Sequence, residues 1–154
     1  MKAINDNGTI KTFNSVPKTW GTKIGLQYAS NSDLEAIGFF DVEKPTLKAS
    51  QEYGNIEWDS ANNRFTYPVN NKTYTQTVAE LKEQKLNNLK HLYNLELAKT
   101  DWYVTRKQEK GTAIPSEITT ERDDLRSDYE THKTAINAKT TRAGVVDYAL
   151  PSLI

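Results

Sequence analysis

Residues 77–99 read TVAELKEQKLNNLKHLYNLELAK, and this stretch divides the chain. It holds no Gly or Pro and is rich in strong helix formers, which predicts a helix from Val78 to about Lys99. Val78, Leu81, Leu89 and Leu92 form one apolar stripe. Leu86, Leu89, Tyr93 and Leu97 form an adjoining one at spacings of three and four. Two stripes give a wide apolar face, as expected for a helix packed on two neighbours.

Everything before this stretch reads as strands and turns. Asn7-Gly8 lies between β-prone flanks, and both residue types tolerate the positive φ of a type I′ hairpin turn. Pro17 to Gly21 should turn the chain. Residues 32–38 suggest one helical turn with Ser32 as N-cap and Gly38 as stop, and residues 38–42 a strand. Ile56 and Trp58, then Phe65 and Tyr67, alternate with polar neighbours around the turn Ser60-Ala61-Asn62-Asn63, predicting a second hairpin. Pro68 cannot donate to a ladder, so that strand ends there or lies on an edge. Residues 70–73 read as one more turn.

After the long helix, residues 100–114 read as a connection of roughly fifteen residues, with Lys110-Gly111 at its tip. Connections of that length are uncommon and often functional. Pro115-Ser116-Glu117 opens a second helix, on which Ile118, Leu125, Tyr129 and Ile136 share a face with Arg122 and His132. The last residues are apolar, broken by Pro151, and are expected to pack as an extended tail. The fold expectation is therefore α+β: a β-rich domain over 1–75, a helical hairpin over 76–138, and an extended tail over 139–154.

Composition narrows function. The 154 residues carry 20 Lys+Arg and 20 Asp+Glu, leaving no basic excess to suggest nucleic acid. Cysteine is absent, which excludes disulfides and thiolate chemistry. No apolar run approaches the roughly 18 residues a membrane span needs. Mean hydropathy is −0.73, so the core is lean, and a lean core hints at oligomerisation or assembly.

The sequence carries no recognisable catalytic constellation. His91 has Asn87, Asn88, Asn94 and Leu95 as helical neighbours, and none of them can polarise an imidazole. His132 sits on the semi-apolar stripe and reads as a satisfied, partly buried histidine. No zinc-binding spacing, phosphate-binding glycine pattern or Gly-x-Ser-x-Gly elbow occurs. Glu117, Glu121, Asp124 and Asp128 line one side of the second helix, which reads as a solvated face. The expectation is no enzyme, no cofactor and no metal site.

What remains is interaction. Trp102, Tyr103 and Arg106 in the connection, Tyr93 and Leu97 on the first helix, and Tyr148, Leu150, Leu153 and Ile154 in the tail are the partner-interface candidates. Trp102 is expected to roof the helical hairpin. Asp101 is expected to receive Arg122 in a bidentate pair, because the stripe position of Arg122 otherwise turns a charge toward the core.

The block Leu-Ala-x-Thr-Asp-Trp-Tyr-Val-x-Arg at 97–106, with Ile114-Pro115 and Arg122-x-x-Leu125-Arg126, resembles a helical module of tailed-bacteriophage tail proteins. It is similar to C-terminal segments of tail-fibre assembly chaperones and of small tail-fibre or baseplate accessory proteins. Gly8 to Phe13, Pro17-Lys18-Thr19-Trp20, Gly38 to Val42 and the Ile56 to Val69 hairpin extend the resemblance to the front half. The resemblance implies a structural or adaptor component near the baseplate or fibre attachment, or alternatively an assembly chaperone not retained in the virion. It further implies other tail proteins as partners, a homo-oligomer as one arrangement, and the virion tail, assembled in the host cytoplasm, as location. It carries no catalytic residue.

Overall fold

The computed structural model describes residues 1–153, so Ile154 lies outside the described residues. The chain is α+β and divides into two units, Met1–Lys72 and Thr73–Ile154.

In the first unit, β1 (Lys2–Asp6) and β2 (Thr9–Phe13) form a hairpin. Asn7 and Gly8 turn it at φ 51° and 87°, both in the left-handed region that Asn-Gly accommodates. A two-residue hairpin follows, β3 (Thr19–Trp20) with β4 (Lys23–Ile24), and then a 3₁₀ turn at Leu26–Tyr28. Helix α1 (Asn31–Ala36) is capped by Ser30, not by Ser32. Ser30 accepts from the Asp33 amide, and the Asp33 carboxylate accepts from the Ser30 amide. This reciprocal box outcompetes a lone serine two residues later.

Strand β5 (Phe40–Glu43) pairs antiparallel with β1 and parallel with β8 (Arg64–Thr66), while β7 (Glu57–Asp59) pairs antiparallel with β8. The sheet order is β2-β1-β5-β8-β7. The parallel β5–β8 pair departs from the expectation of antiparallel hairpins alone, because alternation reports which face a side chain takes and not which way the strand runs. Residues 70–73 are not simply a turn: β9 (Val69–Asn71) pairs with β6 (Gln51–Tyr53) in a separate ribbon. The ribbon is tight at Gly54, whose amide donates to Pro68 O at 2.7 Å. An added Cβ there would meet Asn70 Nδ2 at 2.9 Å.

The core of this unit is Ile4, Leu26, Leu34 and Phe39, with Phe13, Val16, Trp20 and Ile37 packed on it. Phe13, Trp20 and Phe39 meet edge-to-face with centroids 5.5–5.7 Å apart, a favoured aromatic arrangement.

The second unit holds α2 (Val78–Ala98), α3 (Asp101–Lys110), α4 (Ser116–Asn137) and α5 (Arg142–Val146). Thr77 and Glu80 cap α2 reciprocally. Leu89, Tyr93 and Ile136 form the buried centre where α2 packs on α4, and Leu86, Leu125 and Tyr129 surround it. Burying each such aliphatic side chain contributes roughly 1.5–3 kcal/mol.

Two expectations are corrected in this unit. Residues 101–110 are helix, not loop, since they contain no breaker and Gly111 supplies a left-handed stop at φ 67°. Residues 139–154 are not extended throughout: Thr141 caps the short helix α5 through the Gly144 amide. The tail and the helical pair also share one unit, because Tyr148, Leu150 and Leu153 pack on the same core. Lysines tie the ends together. Lys85 Nζ donates to Val146 O and Tyr148 O at 3.1 and 3.0 Å, and Lys82 Nζ to Asn137 O at 2.6 Å, satisfying carbonyls at helix C-termini.

Candidate interaction surfaces

The break between α2 and α3 sets where α3 points. Helix α2 stops after Ala98, and Thr100 takes φ −114°, ψ 4° before the chain resumes as helix. Arg122 of α4 reaches this break and is itself buried, at 8% exposed. Its Nη1 donates to Leu97 O at 2.8 Å and Thr100 Oγ1 at 2.7 Å, while Nη2 sits 2.9 Å from Asp101 Oδ1. The Asp101–Arg122 contact is single-point rather than bidentate, because the other guanidinium nitrogen is taken by Leu97 and Thr100. One arginine thus closes the carbonyl end of α2 and holds the first residue of α3.

No residue of helix α3 is fully buried, and only Tyr103 and Arg106 are partly covered. Trp102 is 51% exposed and does not roof the hairpin, since the helical turn carries it away from the core. It stacks instead on Tyr103, with centroids 3.8 Å apart, and the Arg106 guanidinium lies 4.6 Å above the Trp102 ring and 5.3 Å from that of Tyr103. Cation–π contacts of this kind pre-arrange the three side chains. Val104 is exposed as well. The result is a short aromatic and basic platform standing outside the core.

The other interface candidates divide differently. Tyr93 is 2% exposed and is therefore a core residue, not a contact surface. Its hydroxyl donates to Asp128 Oδ2 at 2.5 Å. Burial, then the hydrogen bond and charge of Asp128, hold its phenol above the usual 10.0. Asp128 Oδ1 also faces His132 Nε2 at 3.6 Å, and His132 Nδ1 shares a 2.6 Å hydrogen bond with Tyr148 Oη. This chain of polar contacts ties α2, α4 and the tail together. Tyr148, Leu150 and Leu153 are accordingly spent on the protein's own core rather than offered outward, because a Pro-broken apolar segment finds a ready apolar face on α2 and α4. Leu97 is half-buried. With Tyr93, Leu125 and Tyr129 it lines a concavity of about 440 Å³, rimmed by Lys90, Arg126 and Glu130.

The carboxylates of Glu117, Glu121, Asp124 and Asp128 line an open shelf along α4, with Leu125 beneath. In the first unit, Ile24 and Tyr28 are 82% and 87% exposed on either side of buried Leu26. Gly25 and Leu26 amides both donate to Lys18 O, which holds that prong in place. Its signal in the sequence was only an apolar residue beside Gly25, too common to single out. Trp58, Phe40 and Phe65 cluster edge-to-face around a shallow hollow with Asn5 and Gly38.

Among the described residues no group of three or more His, Asp or Glu side chains is placed to hold a metal ion. No described helix is long and apolar enough to cross a membrane. No family model, curated protein or solved structure matches this chain.

Proposed function

We propose that this protein is a non-enzymatic structural or adaptor component of a bacteriophage tail, near the baseplate or fibre attachment, which docks through α3. The observation that carries the docking half is that α3 is a ten-residue helix with no buried residue that nevertheless exposes Trp102 and Val104. A helix this short gains little from propensity alone and usually relies on burying one face. Aromatic and arginine side chains are also the residue types that dominate binding energy at interfaces. The tail assignment rests on the resemblance of residues 95–136 to tail-protein modules.

An assembly chaperone released before completion would use the same surface, and one experiment separates the two. Quantitative mass spectrometry of purified particles is expected to recover the chain at fixed stoichiometry with the other tail proteins. Its presence only in unassembled intermediates would move the reading to the chaperone. Its absence from both would overturn the tail assignment. Trp102→Ala is expected to abolish incorporation while leaving the isolated protein folded.

A further inference from the structure

We infer that the α3 platform pairs with the acidic shelf of α4 in a second copy of this chain, reciprocally, as a two-fold dimer. This rests on reading α3 as a docking surface and names its occupant; it does not depend on the tail assignment.

The charges carry the inference. Arg106 is partly buried and engaged by Trp102 and Tyr103, but among the described residues the exposed Lys107 and Lys110 enter no ion pair, and neither do Glu117, Glu121 and Asp124. The groups that would confuse the pattern are engaged elsewhere: Asp101 with Arg122, Arg126 with Asp123, and Asp128 with Tyr93 and His132. Glu109 lies three residues from Arg106 and neighbours it, but is turned about 160° from Lys107, so it does not share the Lys107–Lys110 edge of α3. Each surface thus presents exposed charges of one sign that no ion pair neutralises.

The spacings match. Lys107 and Lys110 are three residues apart, as are Glu121 and Asp124. At 1.5 Å rise per residue these two pairs span the same height, so the two helices laid side by side in that one register bring opposite charges together. Like charges at these spacings repel along one helix. Each stripe therefore weakens its own helix when alone, and a facing stripe of opposite sign relieves both. Tyr103 on α3 and Leu125 under the shelf supply apolar contact between the charge rows. One chain carries both surfaces, so the reciprocal two-fold arrangement makes the contact twice and closes the assembly at two copies, where a head-to-tail one makes it once per copy.

Sedimentation velocity on the full chain tests this. The wild type is expected to form a dimer whose affinity falls at least tenfold between about 0.05 and 0.5 M salt, as screened exposed charges require. The double variants Lys107→Glu/Lys110→Glu and Glu121→Lys/Asp124→Lys should each be monomeric with unchanged helicity. Mixed, they should form a one-to-one heterodimer, because both contacts become complementary again. Zero-length carbodiimide coupling of mixed ¹⁴N and ¹⁵N wild-type chains gives a readout that needs no variant. It should join Lys107 or Lys110 to Glu121 or Asp124 of the differently labelled copy. A wild type that stays monomeric at about 0.2 mM, charge reversals that dimerise normally, or a mixture that does not recombine would overturn the proposal. If these fail while the chain is still found in particles, the tail reading stands and only the occupant of α3 is wrong.

Discussion

Replacing Arg122 by Met keeps the length of the apolar stem and removes the guanidinium. The structure sets the size of the effect. Arg122 is 8% exposed and Thr100 7%, so the contacts to Leu97 O and Thr100 Oγ1 are shielded from water. Hydrogen bonds from a charged donor contribute about 1.5–3 kcal/mol, and a buried acceptor left without a partner costs about 1–3 kcal/mol. Asp101 adds little, since its side chain is 61% exposed and exposed ion pairs contribute about 0–1 kcal/mol. The expected loss is about 2–4 kcal/mol. In a unit of this size that lowers Tm by roughly 8–32 °C, since 1 kcal/mol corresponds to ~4–8 °C. Thermal and urea unfolding followed by circular dichroism at 222 nm measures it. Asp101→Ala should cost under ~1 kcal/mol in the same assay. A Met variant within about 3 °C of wild type, or an Asp101→Ala variant as damaging as Arg122→Met, would refute the claim that Arg122 acts mainly as the cap of α2.

Leu89→Ala opens the centre of the second unit, where Leu89 is fully buried, and should cost about 2–5 kcal/mol. Leu95→Ala, 53% exposed on the same helix, should stay within about 0.5 kcal/mol in urea unfolding. Equal costs would contradict the assignment of the buried face of α2. For pH, Glu80 is held below its ordinary 4.5 by the Thr77 amide and then the Thr77 hydroxyl, and Asp33 below 3.8 by the Ser30 hydroxyl and then its amide. A depressed folded pKa contributes stability above the unfolded value and loses it as pH falls through the folded one. Helix content should therefore fray as pH drops below about 4.5, and Glu80→Gln should remove part of that acid dependence. An unchanged acid titration in Glu80→Gln would count against the cap. Tyr93 has the opposite sign: its raised pKa keeps its contribution intact below 10.0 and loses it as pH rises beyond that. Tyr93→Phe should blunt the alkaline transition.

Several elements were readable directly from residues. Asn7-Gly8 encodes its own turn because few other pairs accept two positive φ angles, and the run without Gly or Pro from Val78 to Lys99 marks α2, whose Thr77–Glu80 cap the structure adds. The position of Arg122 on an apolar stripe pointed to Asp101, although the buried acceptors at Leu97 and Thr100 were not foreseen; backbone carbonyls leave no trace in side-chain patterning. Helix α3 was missed for a related reason. Apolar periodicity reports on a core-facing stripe, and α3 has none, so Thr100-Asp101-Trp102 read as a stop rather than a restart. The signal available was the absence of Gly and Pro from 101 to 110 followed by Gly111. The strands of the β6–β9 ribbon, Gln51–Tyr53 and Val69–Asn71, are three residues each, too short to show an alternation. Tyr93 and the tail residues were apolar for the protein's own core, and apolarity alone does not say whether a core or a partner covers it.

The central claim is that α3 is a docking surface, and photo-cross-linking from position 102 tests it most directly. A benzophenone amino acid placed at Trp102, in the full chain and during particle assembly, should form adducts mapping to a second copy, and adducts to another tail polypeptide instead would keep the docking claim while changing its occupant. A control at exposed Lys48 in the first unit should give several-fold less. No adduct from position 102 above that control would contradict the account.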